Sequence, residues 1–363
     1  MPNIPVGSGL AAQLVTKDET TYGVAASLTS GVDSFEFDSD TLELKKTAVT
    51  GAGLAAGKVY ERTKRRVVTN YDVTGDIVMD CPTRNLGFWL RYMIGDFTET
   101  PTQIGSTGIY KTVFQPKSTQ FGHSFTVQKG VPAVDTATVE PVTYVGCKLS
   151  GWSLATSVGA IAKLTLNIDA RNELAGGMDA DPLNASLPAL ATFATPTTGL
   201  GTSVFHFREA TLFSGGTPAL NTGIVSLTGA TALGNVKDIT VGQTFTYDTS
   251  RLFIGSSGFK SEQVENGYRK PTGSFTIEWL SSMAMYNAYA ADTTTSLQLT
   301  FTGPTVSTSN YLLDIIIPNI KLEGESGKVA GPQVVTQQVN FTGYDDEATT
   351  PLQVTYQSED TTF

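Results

Sequence analysis

The residue types best suited to chemistry in this chain are cations gathered in one short run. Lys58, Tyr60, Arg62, Lys64, Arg65 and Arg66 follow the glycine-rich stretch Gly51-Ala52-Gly53-Leu54-Ala55-Ala56-Gly57. Such a run would suit a phosphate or an acidic protein surface. The stretch is not a phosphate-binding loop: Ala52 and Val59 break the Walker pattern, and the third glycine comes one residue late for a dinucleotide site. A loop that orders on assembly fits better, and with only one aromatic in the run a protein interface is favoured over DNA.

The other reactive types are scattered. Cys81, Cys147, His123 and His206 have no zinc-site spacing, and His206 reads as solvent-facing on a strand. The carboxylate pairs Asp38 with Asp40 and Asp179 with Asp181 continue into no calcium-loop pattern, so they read as acidic turns. No G-x-S-x-G elbow is present. No catalytic residue, metal or cofactor is expected.

Composition sets the frame. The 363 residues carry 24 Lys and Arg against 34 Asp and Glu, a formal net charge of −10. That balance argues against gripping nucleic acid, since such grip releases counterions through Lys and Arg. It does suit a passage to which DNA must not stick. Abundant Gly, Thr and Ser favour strands and turns over long helices. No signal peptide and no membrane-spanning apolar run is expected, and two distant cysteines suit a reducing cytoplasm.

The elements that position the cations emerge when the chain is compared with itself. Phe35–Leu44 lines up with Phe245–Ile254 as F-x-[FY]-D-[ST]-x-x-L-x-[LI]. Gly75–Cys81 matches Gly273–Trp279 as a half-buried strand, each with a preceding Thr. Helices are expected over Pro82–Ile94 and Ser281–Ala291, with Pro82 in a first turn and Ser281 as a cap. Cys147-Lys148-Leu149 then matches Ile320-Lys321-Leu322, and Leu166-Asn167-Ile168 matches Val339-Asn340-Phe341. On this alignment the first half carries about a dozen extra residues, an inserted basic loop within Lys45–Arg66. A Gly, Pro, Ala and Thr-rich stretch over 175–203 reads as a linker, dividing the chain into units 1–190 and 191–363.

These segments together resemble a family. Thr21-Tyr22-Gly23, F-E-F-D-S-D-T-L-E-L, the Gly/Ala loop with its Arg/Lys cluster, T-G-D-I and P-T-R-N-L-G-F-W-L are similar to tail tube proteins (major tail proteins) of long-tailed siphophages, particularly those with actinobacterial hosts. The likeness is closest over residues 10–97 and extends loosely to Val339–Tyr344. It implies a mainly β fold of two tandem, duplicated sandwich or barrel domains, each flanked by one short α-helix. It implies a structural virion protein made in the host cytoplasm, with rings stacked into the conduit for the genome. Copies of the chain itself would be the main partner, with a trimer of pseudo-sixfold symmetry expected ahead of a hexamer. Tape measure protein, double-stranded DNA in the lumen, and tail terminator and distal tail proteins would be the others, with no membrane. The basic residues Lys58 to Arg66 would stack one ring on an acidic surface of the next. The rival readings are a tandem β-sandwich module binding a cell-envelope ligand, and a carbohydrate-active enzyme, which no spacing recommends.

Overall fold

Period-two alternation in a Thr- and Val-rich chain produces strands almost throughout. The computed structural model describes residues 7–96, 100–117, 119–136, 138–176, 181–194, 203–324, 326–327, 329 and 331–363. In the first half the strands are β1 (Gln13–Asp18), β2 (Asp33–Phe35), β3 (Ser39–Asp40), β4 (Glu43–Thr50) and β5 (Arg66–Asp80), followed by helix α1 (Leu86–Ile94). Then come β6 (Thr102–Gln103), β7 (Tyr110–Phe114), β8 (Phe125–Pro132), β9 (Val139–Ser157), β10 (Lys163–Ala170) and β11 (Asn172–Leu174). The second half has β12 (Ala210–Ser214), β13 (Thr217–Asn221), β14 (Ile224–Thr228), β15 (Thr231–Ala232), β16 (Val236–Thr244), β17 (Tyr247–Asp248), β18 (Val264–Glu265) and β19 (Lys270–Glu278). Helix α2 (Ala284–Ala290), β20 (Thr295–Val306), β21 (Ser309–Gly324), β22 (Thr336–Gly343) and β23 (Gln353–Ser358) complete it. The fold is mainly β, and neither helix is long enough to cross a membrane.

The pairing scheme occurs twice. In the first half β1 pairs β2 and β8, β8 pairs β9, and β9 pairs β10 and β11. In the second half β12 pairs β15 and β20, β20 pairs β21, and β21 pairs β22 and β23. Register agrees residue by residue where the sequence repeats: Gly75 stands opposite Ile168 as Gly273 stands opposite Phe341, and Leu149 opposite Ile168 as Leu322 opposite Phe341. The two glycines share a cause. A Cβ at Gly75 would come 2.5 Å from the Thr41 carbonyl oxygen, and one at Gly273 2.1 Å from that of Thr240, so only glycine lets the neighbouring backbone approach there.

One of the repeated segments is out of step with this scheme. Asp40 faces Ile77 on β5, and the residue facing the corresponding Phe275 on β19 is Ile239, which precedes Phe245. Phe35–Leu44 and Phe245–Ile254 therefore occupy different places. The dozen extra residues vanish with that alignment: Asp40 to Ile77 spans 37 positions and Ile239 to Phe275 spans 36.

The halves share one sheet and one core. β9 pairs β16 over Ser157↔Asp238 to Gly151↔Thr244, and β7 pairs β23 over Tyr110↔Ser358 to Phe114↔Val354. The main buried cluster runs from Leu14 to Tyr356, with a smaller one at Val15, Leu28 and Ala191. Within the expected linker, 177–180, Asp179 among them, and 195–202 lie outside the described residues, as do Met1–Val6. The part between them is a fitted strap: Ala191 is buried, donates to Gln128 Oε1 at 2.7 Å and accepts from Gln13 at 2.9 Å.

Both helices are shorter than expected. Pro82 bridges Val204, and Thr83 is bonded to Ser203 instead of entering a helical turn; Asn85 stands at φ 61° before α1. Met283, not Ser281, precedes α2, at φ 46°. All nine residues of α1 are buried, including Arg91, which pairs with Asp18 at 3.0 Å. No residue of α2 is buried.

Candidate assembly interface

The basic residues lie together on an arm. Past Glu43↔Thr74, β4 and β5 continue pairing to Thr50↔Arg66, so the hairpin extends with its glycine-rich turn at the tip. Lys58 and Tyr60 are exposed there, the tyrosine by 87 %. Arg62 is half-buried and donates to the Gly53 carbonyl at 3.2 Å. Lys64 and Arg65 sit on a single 3-10 turn, Thr63–Arg65, and Arg66 opens β5. All six residues singled out in the sequence are thus gathered within one projection, with the exposed apolar Val49, Leu54, Val59 and Val67 beside them. Apolar side chains clustered with cations on a projecting hairpin make the arm a candidate contact surface.

The equivalent connection in the second half behaves otherwise. Between β16 and β19 the chain folds back over the first half's strand ends. Gly258 accepts from the Tyr71 amide at 3.0 Å, and Phe259 stacks on Tyr71 with centroids 4.6 Å apart. Lys260, 3 % exposed along its side chain, reaches Asp72 at 2.6 Å and also bonds Asp169. Glu262 meets the buried Lys148 at 2.7 Å. Burial raises the Asp169 carboxyl above its ordinary range, opposed by Lys260, and lowers Lys148, opposed by Glu262. Sequence reading missed this excursion, because lysine reads as solvent-facing unless its partners are known.

On the second half, the strand ends that correspond to this covered patch stand open. Tyr289, Ala290, Asp292, Lys321, Leu322, Glu323 and Tyr344 line a depression of about 600 Å³. Lys321 corresponds to Lys148 and is bonded to Asp292 at 3.1 Å.

The remaining candidates do not converge. Asp38 pairs with Lys163 and Asp40 with Lys129 at 2.7 Å, so the two carboxylates serve different cations. Asp181 is buried against Arg171 at 2.6 Å. His206 is half-buried at the start of a 3-10 turn, 3.6 Å from Glu209, and not on an open strand face. Cys81 and Cys147 are buried free thiols whose pKa burial pushes up. Among the described residues no three His, Cys, Asp or Glu side chains cluster as a metal site.

What the arrangement offers is edges, an arm and an open depression, which are means of association. No curated protein matches the chain significantly. The family model described as phage tail tube protein matches residues 9–343, from before β1 to the end of β22, the arm included. With more than half its length matched, the chain belongs to the phage tail tube protein family.

Proposed function

We propose that the protein builds the tail tube as rings closed by strand pairing between copies, two similar units per chain, divided near residue 190. The observation that carries this reading is the internal seam. In hydrogen-bonded order the strands run β4, β5, β10, β9, then β16, β19, β22, β21. By register β16 corresponds to β4 and β9 to β21. The seam between β9 and β16 therefore has an outer counterpart: β21 of one copy against β4 of the next. Carried over, the internal register places Glu323 opposite Lys45 and Gly324 opposite Leu44, an opposite-charge pair beside it. An edge that would otherwise invite aggregation becomes the means of closure.

Three such chains supply six units, which supports a trimer with pseudo-sixfold symmetry. The face of these strands turned away from the core carries Asp76 bonded to Asn167 at 2.7 Å, and the aligned Thr240, Ser274 and Asn340. We assign this polar, acid-leaning face to the lumen, where it repels phosphate and lets DNA slide. The arm tip, Lys58 to Arg66, stacks ring on ring. The segments within 10–97 that resemble siphophage tubes of actinobacterial hosts support a flexible, non-contractile tail, met at its ends by terminator and distal proteins and filled by the tape measure before DNA.

Negative-stain microscopy of the purified protein tests the reading, together with a Lys45→Cys, Glu323→Cys variant under oxidation. Tubes with threefold end views and a covalent ladder between copies are expected. Discrete oligomers without tubes would return the chain to the surface-module class.

A further inference from the structure

The depression on the second half has an occupied twin within the same molecule. Lys321, Glu323 and Tyr344 stand where Lys148, Gly151 and Arg171 stand in the first half, given the shared register of β21 and β22 with β9 and β10. In the first half that place is filled by the chain itself. Tyr247 and Glu262 cover Lys148, and Phe259 lies against the Arg171 guanidinium at 4.7 Å. The covering segment enters directly from β16, through the Phe245 amide bonded to the Ser150 carbonyl at 2.9 Å.

We propose that the base of the β4–β5 arm of a second copy, Lys46 to Val49 with Val67, fills the depression at Tyr289, Asp292, Lys321 and Tyr344. This rests on the ring reading above, because it is the β4 edge that brings the arm there. Three observations select this occupant. First, continuing the seam by one residue sets Lys46 beside Leu322, just as Phe245 lies beside Ser150, so the arm base must pass the depression's mouth. Second, the chemistry is matched. The arm base brings Lys45 and Lys46 and the half-exposed Val49 and Val67, and the depression offers Asp292, Glu323 and the faces of Tyr289 and Tyr344, which are 42 % and 47 % exposed. Third, the chemistry is exchanged relative to the twin: where Arg171 meets an incoming aromatic ring in the first half, Tyr344 awaits an incoming cation in the second. The arm thus has two parts, a base that locks a lateral neighbour and a tip left for the next ring.

Hydroxyl-radical footprinting of Tyr289 and Tyr344 compares tubes with the dilute unassembled protein. Their oxidation is expected to fall at least fivefold in tubes. Unchanged oxidation in a sample that does form tubes overturns the proposal and leaves the ring reading standing, whereas a sample forming no rings ends both. A charge exchange identifies the occupant. Asp292→Lys is expected to cut tube yield at least fivefold in subunits that remain folded, and Lys46→Glu added to it to recover at least half. Protection of both tyrosines without recovery would mean that another surface covers the depression, and would overturn the assignment to the arm.

Discussion

The two connections that leave the sheet at equivalent places, Lys45 to Asp72 and Thr244 to Lys270, start from strands in the same register and have opposite fates. The first stays a hairpin standing in solvent; the second collapses onto its neighbour. Length does not separate them. The difference is in anchors: Phe259, Lys260, Glu262 and Gln263 each find a buried partner, and Gln263 donates to Asp169 at 2.8 Å. The arm's Gly51 to Gly57 offers only glycines, alanines and the fully exposed Leu54, followed by cations for which no ion pair is formed among the described residues. A connecting segment is committed to its own chain by the partners it can bury, and on the proposed ring reading the uncommitted one is left for another copy.

Removing the anchors tests this most severely. Lys260→Met should leave Asp169 buried without its cation and cost about 3–5 kcal/mol of stability. Urea unfolding would measure the loss, and hydrogen exchange should show 255–265 opening first. Phe259→Ala, which empties the stack on Tyr71, should cost about 3 kcal/mol. The arm should behave in the opposite way. Arg65→Glu with Arg66→Glu is expected to alter subunit stability by less than about 0.5 kcal/mol while abolishing tubes; polymerisation at the wild-type level would refute the stacking role of the tip.

A smaller effect concerns Asp33 on β2, close to Arg91 of the buried helix. Burial raises its pKa to about 6, with Arg91 opposing and Asp18 and Asp360 adding to the rise. A carboxyl that holds its proton more tightly when folded contributes stability fully present below about pH 4, its unfolded value, and lost as pH rises through about 6. Asp33→Asn should therefore raise stability at pH 7 by about 2 kcal/mol and flatten the pH 4–6 slope. An unchanged slope would assign the pH dependence to other groups.

The legibility of the molecule followed the same division. Gly75–Cys81, Gly273–Trp279 and their partners were visible because strict alternation on a half-buried strand forces one register. The arm was visible because its charges stay in water. Phe35–Leu44 and Phe245–Ile254 misled because an aromatic pair before an acidic turn marks any strand end, whichever strand it is. Helix α1 was legible as a helix but not as a fully buried one: a helical stripe implies a solvent side, and that side is met by Asp18, which accepts from Arg91 and Tyr92, and by the C-terminal Phe363, whose ring lies against Gly87. The ion pairs of Lys148 and Lys260 bring together residues some 90 to 190 positions apart, a distance no local pattern spans.

The strand contact between β9 and β16 has a kinetic meaning as well. In the proposed ring of three chains, every second seam would be made within one polypeptide, at a local concentration fixed by the connecting chain and independent of how much protein is present. Dilution of such a ring would dissolve only the alternate seams. Defects in Gly151–Ser157 should therefore appear as misfolded subunits, and defects in Glu43–Lys45 as sound subunits with a raised critical concentration for growth.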